Sequence, residues 1–211
     1  AVVVLDQALS IDPRQRDLLD KRQEVGRRVG LLALGSKDFQ LARHAFSRLR
    51  AIGVDEVEVD ALLNRVTTVQ SALFKWRAKR LEEILSDLRD GLSRNGRAPG
   101  SPLIEDYCLE CAGYRDKQTV DILTGKYGLQ SLIDRVVSGS EKVVYSQAER
   151  DVAKFVCRVL GRIHLEESLP PLLEWAQVVP DPELAIEVGI ALCNTRRAEA
   201  GVAVRRLRER F

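Results

Sequence analysis

From Arg14 to Leu34 apolar residues recur near helical spacing, at Leu18, Val25, Val29, Leu32 and Ala33, with charged residues between them. A stripe of this kind predicts a helix that lays one face on a core and keeps the other in water. Asp12-Pro13 stands ahead of it as a cap followed by a first helical residue whose φ is already suitable. Gly35-Ser36-Lys37-Asp38 makes a turn, and Phe39, Ala42, Ala45, Phe46 and Leu49 form the apolar face of the next helix. Glu56 to Asp90 holds neither proline nor glycine. Here Val59, Leu62, Val66, Val69, Leu73 and Trp76 alternate steps of three and four, and the register then slips to Leu81, Ile84, Leu85 and Leu88. One very long helix fits this stretch, and so do two broken near Thr67-Thr68. A dimeric coiled-coil seam needs several clean heptads, and the slip denies them.

Turn residues crowd into Ser93-Arg94-Asn95-Gly96-Arg97-Ala98-Pro99-Gly100-Ser101, which reads as a linker, 93–101, between a region 1–92 and a region 102–211. Ser101 caps a helix that begins at Pro102 and carries Leu103, Ile104, Tyr107, Cys108 and Cys111. Val120, Ile122 and Leu123, then Leu129, Leu132, Ile133 and Val136, predict two shorter helices closed at Ser138-Gly139-Ser140. Ser146 and Glu149 fit a capping box ahead of Val152, Phe155, Val156, Val159, Leu160 and Ile163. Leu169, Leu172, Leu173 and Trp175 follow. Asp181 caps a helix with Leu184, Ile186, Val188, Ile190, Ala191 and Leu192, and Ala198 to Phe211 forms the last one.

A shift of 32 residues lays Val156 on Val188, Leu160 on Leu192, Glu167 on Glu199, Leu172 on Val204 and Trp175 on Leu207. Repetition at this period predicts successive helix pairs, each covering the apolar face that its neighbour cannot bury alone. The expected fold class is all-α, a helical-repeat (α-solenoid) stack of antiparallel helix pairs.

Two families share particular residues with this chain. Gly30 with Ala33 one turn on, followed by Phe39, Ala42 and Phe46, resembles the tetratricopeptide repeat over residues 1–54, with Ala1, Leu5, Ala8 and Asp12-Pro13 similar to the tail of a preceding repeat. The first helix is longer than the family's, and Val54 stands in place of its closing proline. Leu160-Gly161-Arg162-Ile163, Leu169-Pro170-Pro171-Leu172-Leu173 and the turn Pro180-Asp181-Pro182-Glu183 resemble HEAT repeats, with Ala112-Gly113 before Thr119-Val120 a fainter copy. Leu184-Ala185 occupy the place where that family often has a basic residue in a ladder with neighbouring aspartates. Both resemblances imply a protein-binding stack with an extended concave surface.

Composition supports helices over sheets: 45% of residues are hydrophobic and only 5% aromatic. With 33 basic against 31 acidic residues the net charge is +2, so attraction to nucleic acid would need a local patch. No apolar run approaches about 18 residues, which argues against a membrane partner. The absence of methionine sets the expectation that the chain is a fragment of a larger multidomain protein. Cys108, Cys111, Cys157 and Cys193 lie in apolar helical patterns and are expected to be buried free thiols, which favours a reducing, cytoplasmic setting.

Candidate chemistry is thin. Cys108 and Cys111 have the spacing of half a zinc site, but no second pair lies at usable distance. Gly30 to Lys37 has glycines like a phosphate loop, yet the lysine follows Ser36 instead of preceding it. His44 and His164 lie on separate segments, and Glu82-Glu83 and Glu166-Glu167 diverge by about 100° on a helix. The expectation is a protein with no catalytic residue, cofactor or metal. Basic residues offer more. Lys75, Arg77, Lys79 and Arg80 surround Trp76, and Arg196, Arg197, Arg205, Arg206 and Arg208 crowd the C-terminus together with Arg210, offset only by Glu199 and Glu209. Arg196, Arg197, Arg205, Arg206 and Arg208 are the candidate partner-binding residues. They suggest an interaction scaffold for an acidic protein segment or, alternatively, a nucleic-acid-binding HEAT-like domain.

Overall fold

The computed structural model describes residues 7, 16–90, 101–111, 113–138 and 144–211. These residues are helical and contain no β-strand. The Asp12-Pro13 cap, Ala112, the Gly139-Ser140 closure and, apart from Ser101, the linker expected at 93–101 lie outside them. Packing divides the chain into two compact units, Ala1–Lys75 and Trp76–Phe211.

In the first unit helix α1 (Arg16–Gly35) packs closely on α2 (Phe39–Ala51). Lys37, at φ 64°, turns the chain, and the Asp38 side chain caps α2 by accepting from the Leu41 amide at 3.0 Å. Gly26 and Gly30, one turn apart on α1, make room for Leu49 and Phe46 of α2. Ala33, Leu34, Phe39, Ala42, Phe46, Leu49, Val54, Val59 and Val66 form the core. Arg27 grips Glu58 with two bonds of 2.5 and 3.0 Å, and Arg50 meets Asp60 at 2.7 Å, fixing the pair against the start of α3 (Glu56–Arg89). The Arg27 guanidinium holds the Glu58 carboxyl below its ordinary range.

Helix α3 runs unbroken through Thr67-Thr68, whose hydroxyls donate to the carbonyls of Leu63 and Asn64 one turn back. Its apolar stripe serves two cores. Val59 and Val66 are buried in the first, and Leu81, Ile84, Leu85 and Leu88 in the second. The slip in register falls where the helix passes from one to the other. Val69 and Trp76, which the periodicity places on the stripe, are exposed.

The second unit continues with α4 (Ser101–Cys111), α5 (Lys117–Thr124), α6 (Leu129–Ser138), α7 (Gln147–Ile163), α8 (Leu169–Val178), α9 (Pro182–Thr195) and α10 (Ala198–Arg210). A single 3-10 turn, Glu166–Ser168, precedes α8. Side chains of Asp116, Ser146 and Asp181 cap α5, α7 and α9, and the reciprocal bond from Glu149 completes the capping box at Ser146. Helix α7 is buried on nearly every side. It carries α4 and α9 against it, while α8 packs on α6 and α10. Gly161 permits the tightest of these approaches: a β-carbon there would lie 2.8 Å from the Cα of Ala191 in α9.

Two local features recur at the period of the sequence shift. His164 and Arg196, the residues that end α7 and α9, both adopt left-handed backbone at φ 58° and 57°. Val179 donates to the Trp175 carbonyl after α8, and Phe211 donates to the Leu207 carbonyl after α10. One expectation is corrected here: Cys193 is exposed, whereas Cys108, Cys111 and Cys157 are buried. Ile186 and Ile190 are exposed as well, because α9 is covered along Leu184, Val188, Ala191 and Leu192. No helix among the described residues is long and apolar enough to cross a membrane.

Candidate interaction surface

Helix α10 is anchored by the buried Ala200 and Leu207, with Ala203 and Val204 half-buried beside them, and its other residues are exposed. Its arginines fall into two groups. Arg197 reaches Glu166 at 3.0 Å, and Arg210 donates to the carbonyls of Gln177, at 2.6 Å, and Val179, closing the C-terminal end of α8. These two are occupied within the fold. Arg196, Arg205, Arg206 and Arg208 are exposed and have no carboxylate partner among the described residues.

A groove runs along each flank of α10. The one beside α8, of about 530 Å³, is floored by Leu173, Ala176, Val202 and Ala203 and rimmed by Glu199, Arg206 and Arg210. The one beside α9, of about 340 Å³, is lined by Ala185, Ile186, Gly189, Val204 and Phe211, and Arg208 is its charged residue. An apolar floor beside free guanidinium groups suits a segment that buries apolar side chains and sets carboxylates at the edge. Of the five candidate arginines, the structure therefore leaves four open, engages Arg197, and joins Arg206 and Arg208 to grooves on opposite flanks of one helix.

In the other basic cluster Arg77 and Arg80 are engaged within the fold, while Lys75 and Lys79 are exposed. Arg77 pairs with Asp116 at 3.2 Å and lies 4.9 Å from the centre of the Tyr114 ring, with both ion-pair side chains only 15% exposed. Arg80 grips Glu110 with bonds of 2.5 and 2.7 Å and sits over Tyr107. Trp76 is exposed, its ring edge-on to Tyr114.

A third charged array had a signal in the sequence that went unread. Arg150, Lys154, Arg158 and Arg162 are spaced by four and so share one face of α7. Arg150 reaches Asp181 and Glu183 at 3.4 and 3.1 Å, and Lys154 reaches Glu183 at 2.5 Å. Arg158 forks onto Glu187 of α9, and Arg162 meets Glu105 of α4 at 2.8 Å. Toward α9 the basic members stand on the earlier helix, whereas in the pair with Glu105 the basic member, Arg162, is on the later one.

The remaining candidates are structural. Burial pushes the thiols of Cys108 and Cys111 up to about 12, far from the range of a reactive thiolate. Among the described residues no group of three or more His, Cys, Asp or Glu side chains is placed to hold a metal ion. The glycine-containing stretch from Gly30 to Gly35 is the last part of α1, and Glu83 pairs with Arg80. His44 is exposed on α2, and His164 occupies the left-handed turn after α7. No protein-family model, curated protein or solved structure matches the chain.

Proposed function

We propose that this chain is a non-catalytic protein-interaction module, a tetratricopeptide-like pair followed by HEAT-like helix pairs, that takes an acidic segment of another protein along α10. The stacked reading is supported by the left-handed turns at His164 and Arg196, by the matching bonds after α8 and α10, and by the succession of α4, α7 and α9 beside α6, α8 and α10. Helices ordered in this way bury one another's apolar stripes and leave a continuous outer surface for partners. The buried thiols of Cys108, Cys111 and Cys157 are in keeping with a cytoplasmic setting.

The observation that carries the proposal is the contrast between neighbouring arginines. Arg150, Arg158 and Arg162 lie against carboxylates, whereas Arg206 and Arg208 stand without them at the edges of open apolar grooves, and the exposed Arg205 is likewise without one. Fluorescence anisotropy with a peptide of alternating Leu and Glu clusters tests it. Replacing Arg205, Arg206 and Arg208 together with alanine is expected to weaken binding by about tenfold or more. Equal binding of a peptide in which Gln replaces Glu would remove the charge argument.

Nucleic-acid binding is a second reading of the same exposed guanidinium groups. It predicts that affinity for a single-stranded oligonucleotide falls steeply and log-linearly with salt. The apolar floors of both grooves favour the protein partner, since a phosphate track has no use for them.

A further inference from the structure

The groove between α9 and α10 has in its wall a helical glycine that packs on nothing within the chain. Glycine inside a helix costs about 1 kcal/mol relative to alanine, and Gly26, Gly30 and Gly161 offset that cost with close packing on Leu49, Phe46 and Ala191. Gly189, in the middle of α9, has nothing within 4 Å of the place where its β-carbon would be, and neither has Gly201 in α10. Beside Gly189 the side chains of Ile186 and Ile190 are 64% and 52% exposed. Together they form an apolar seam with a notch in the middle.

The internal packing of the same unit shows what such a seam accepts. Helix α9 sits on α7 by bringing Ala191 into the notch at Gly161 and by laying Glu183 and Glu187 along Arg150, Lys154 and Arg158. The outward side of α9 and α10 repeats both halves of that arrangement: a glycine notch at Gly189, and a cationic group without a carboxylate partner at Arg208.

We infer that this groove docks an amphipathic α-helix of another protein, one that crosses Gly189 with a small residue, packs on Ile186 and Ile190, and sets acidic residues against Arg208. The inference rests on the reading of the chain as a protein-binding module and specifies the partner's form: a helix in the α9/α10 groove rather than an extended acidic strand beside α8. Charge complementarity selects the acidic flank. The unfilled space at Gly189 selects a close-packed helix.

The test uses the whole 211-residue chain and a fluorescein-labelled peptide of about five helical turns, with Leu and Ala on one face and Glu along one flank. The peptide is expected to gain helical circular dichroism on binding. Gly189→Leu and Ile190→Ser are each expected to weaken it by about tenfold, as are Arg208→Ala and Arg208→Glu, while Lys117→Ala, at the exposed start of α5, leaves it within about twofold. Circular dichroism of each variant alone confirms folding, and two seam variants of opposite size guard against an accidental loss of structure. If the arginine changes weaken the peptide while Gly189→Leu and Ile190→Ser do not, or if the bound peptide stays unfolded, this inference falls and the broader protein-binding reading stands. If no arginine change affects an acidic peptide, both fall. A dimer in sedimentation equilibrium that Ile190→Ser dissociates would assign the groove to a second copy of the chain and overturn the inference.

Discussion

The ring of Phe46 on α2 fills the space that a side chain at Gly30 on α1 would need: a β-carbon there comes within 2.2 Å of the ring's Cε1. Phe46 is fully buried, so its ring cannot swing toward solvent to make way. Gly30→Ala gains helix propensity, about 1 kcal/mol, but forces apart a close-packed pair, which typically costs 1–3 kcal/mol and here involves an aromatic ring, so a net loss of about 1–2 kcal/mol is expected. Gly35→Ala, with nothing within 4 Å, serves as the control and should be neutral or slightly stabilising. Urea titration of the two variants checks the contrast.

The same contrast separates Gly161 from Gly189 in the second unit. A β-carbon at Gly161 meets the backbone of Ala191, at 2.8 Å from its Cα and 2.9 Å from its oxygen, and backbone cannot rotate out of the way as a side chain can. Gly161→Ala is expected to destabilise by about 2 kcal/mol or more. Gly189→Ala should stabilise by about 0.5–1 kcal/mol, because the added methyl group restores helix propensity and touches nothing in the chain. Thermal unfolding of both in parallel decides it.

Much of the helical layout was legible along the chain, for reasons these residues make plain. Ser146 and Glu149 announced the start of α7 because a capping box is a local event, satisfied within four residues. The register slip after Trp76 falls where α3 leaves one core for another. What was hidden depends on neighbours. Ile186 and Ile190 belong to the same apolar run as Leu184 and Val188, and nothing in their chemistry says which side of α9 is covered. The exposure of Cys193 follows from that same ambiguity. In the candidate surface, the density of arginines was visible, but the engagement of Arg197 by Glu166, and of Arg210 by the end of α8, required the fold. The basic stripe of α7 was visible at its spacing of four, while its partners lie 29 residues on at Glu187 and 57 back at Glu105.

Arg158 is the hub of that stripe. It forks onto Glu187, their side chains only 23% and 13% exposed, and lies 3.6 Å from Glu105. Removing Glu187 leaves a half-buried guanidinium with one distant partner, so Glu187→Ala is expected to cost about 2 kcal/mol, against about 0.5 kcal/mol for the more exposed Glu183→Ala. The charge swap Arg158→Glu with Glu187→Arg should recover little, because the new carboxylate would face Glu105. Adding Glu105→Gln to the swap removes that repulsion without setting a cation against Arg162, and is expected to restore part of the stability. Equilibrium denaturation of the four variants measures each step.

Acid should loosen the second unit through Glu183. The Lys154 ammonium, bonded at 2.5 Å, and Arg150 behind it hold this carboxyl below its ordinary value against the opposing effect of burial. A depressed folded value means that the contribution is complete above the unfolded value of about 4.3 and disappears as pH falls through the folded one. Melting temperatures of the wild type and Glu183→Gln should therefore differ by a small, constant amount near neutrality and converge below about pH 4. A difference that stayed the same at low pH would mean that the amide is disruptive for reasons other than charge.

The four cysteines should separate by reactivity. Burial raises the thiols of Cys108, Cys111 and Cys157, the first two to about 12, so very little thiolate is present near neutrality and the reagent has no path to it. Cys193 is exposed on α9. With Ellman's reagent the native chain is expected to release one equivalent rapidly, a phase that Cys193→Ser abolishes, and three more only as the second unit opens. If that slow release reports opening rather than reagent diffusion, Gly161→Ala, which strains the approach of α9 to α7, should accelerate it, while Gly30→Ala, confined to the first unit, should leave it unchanged.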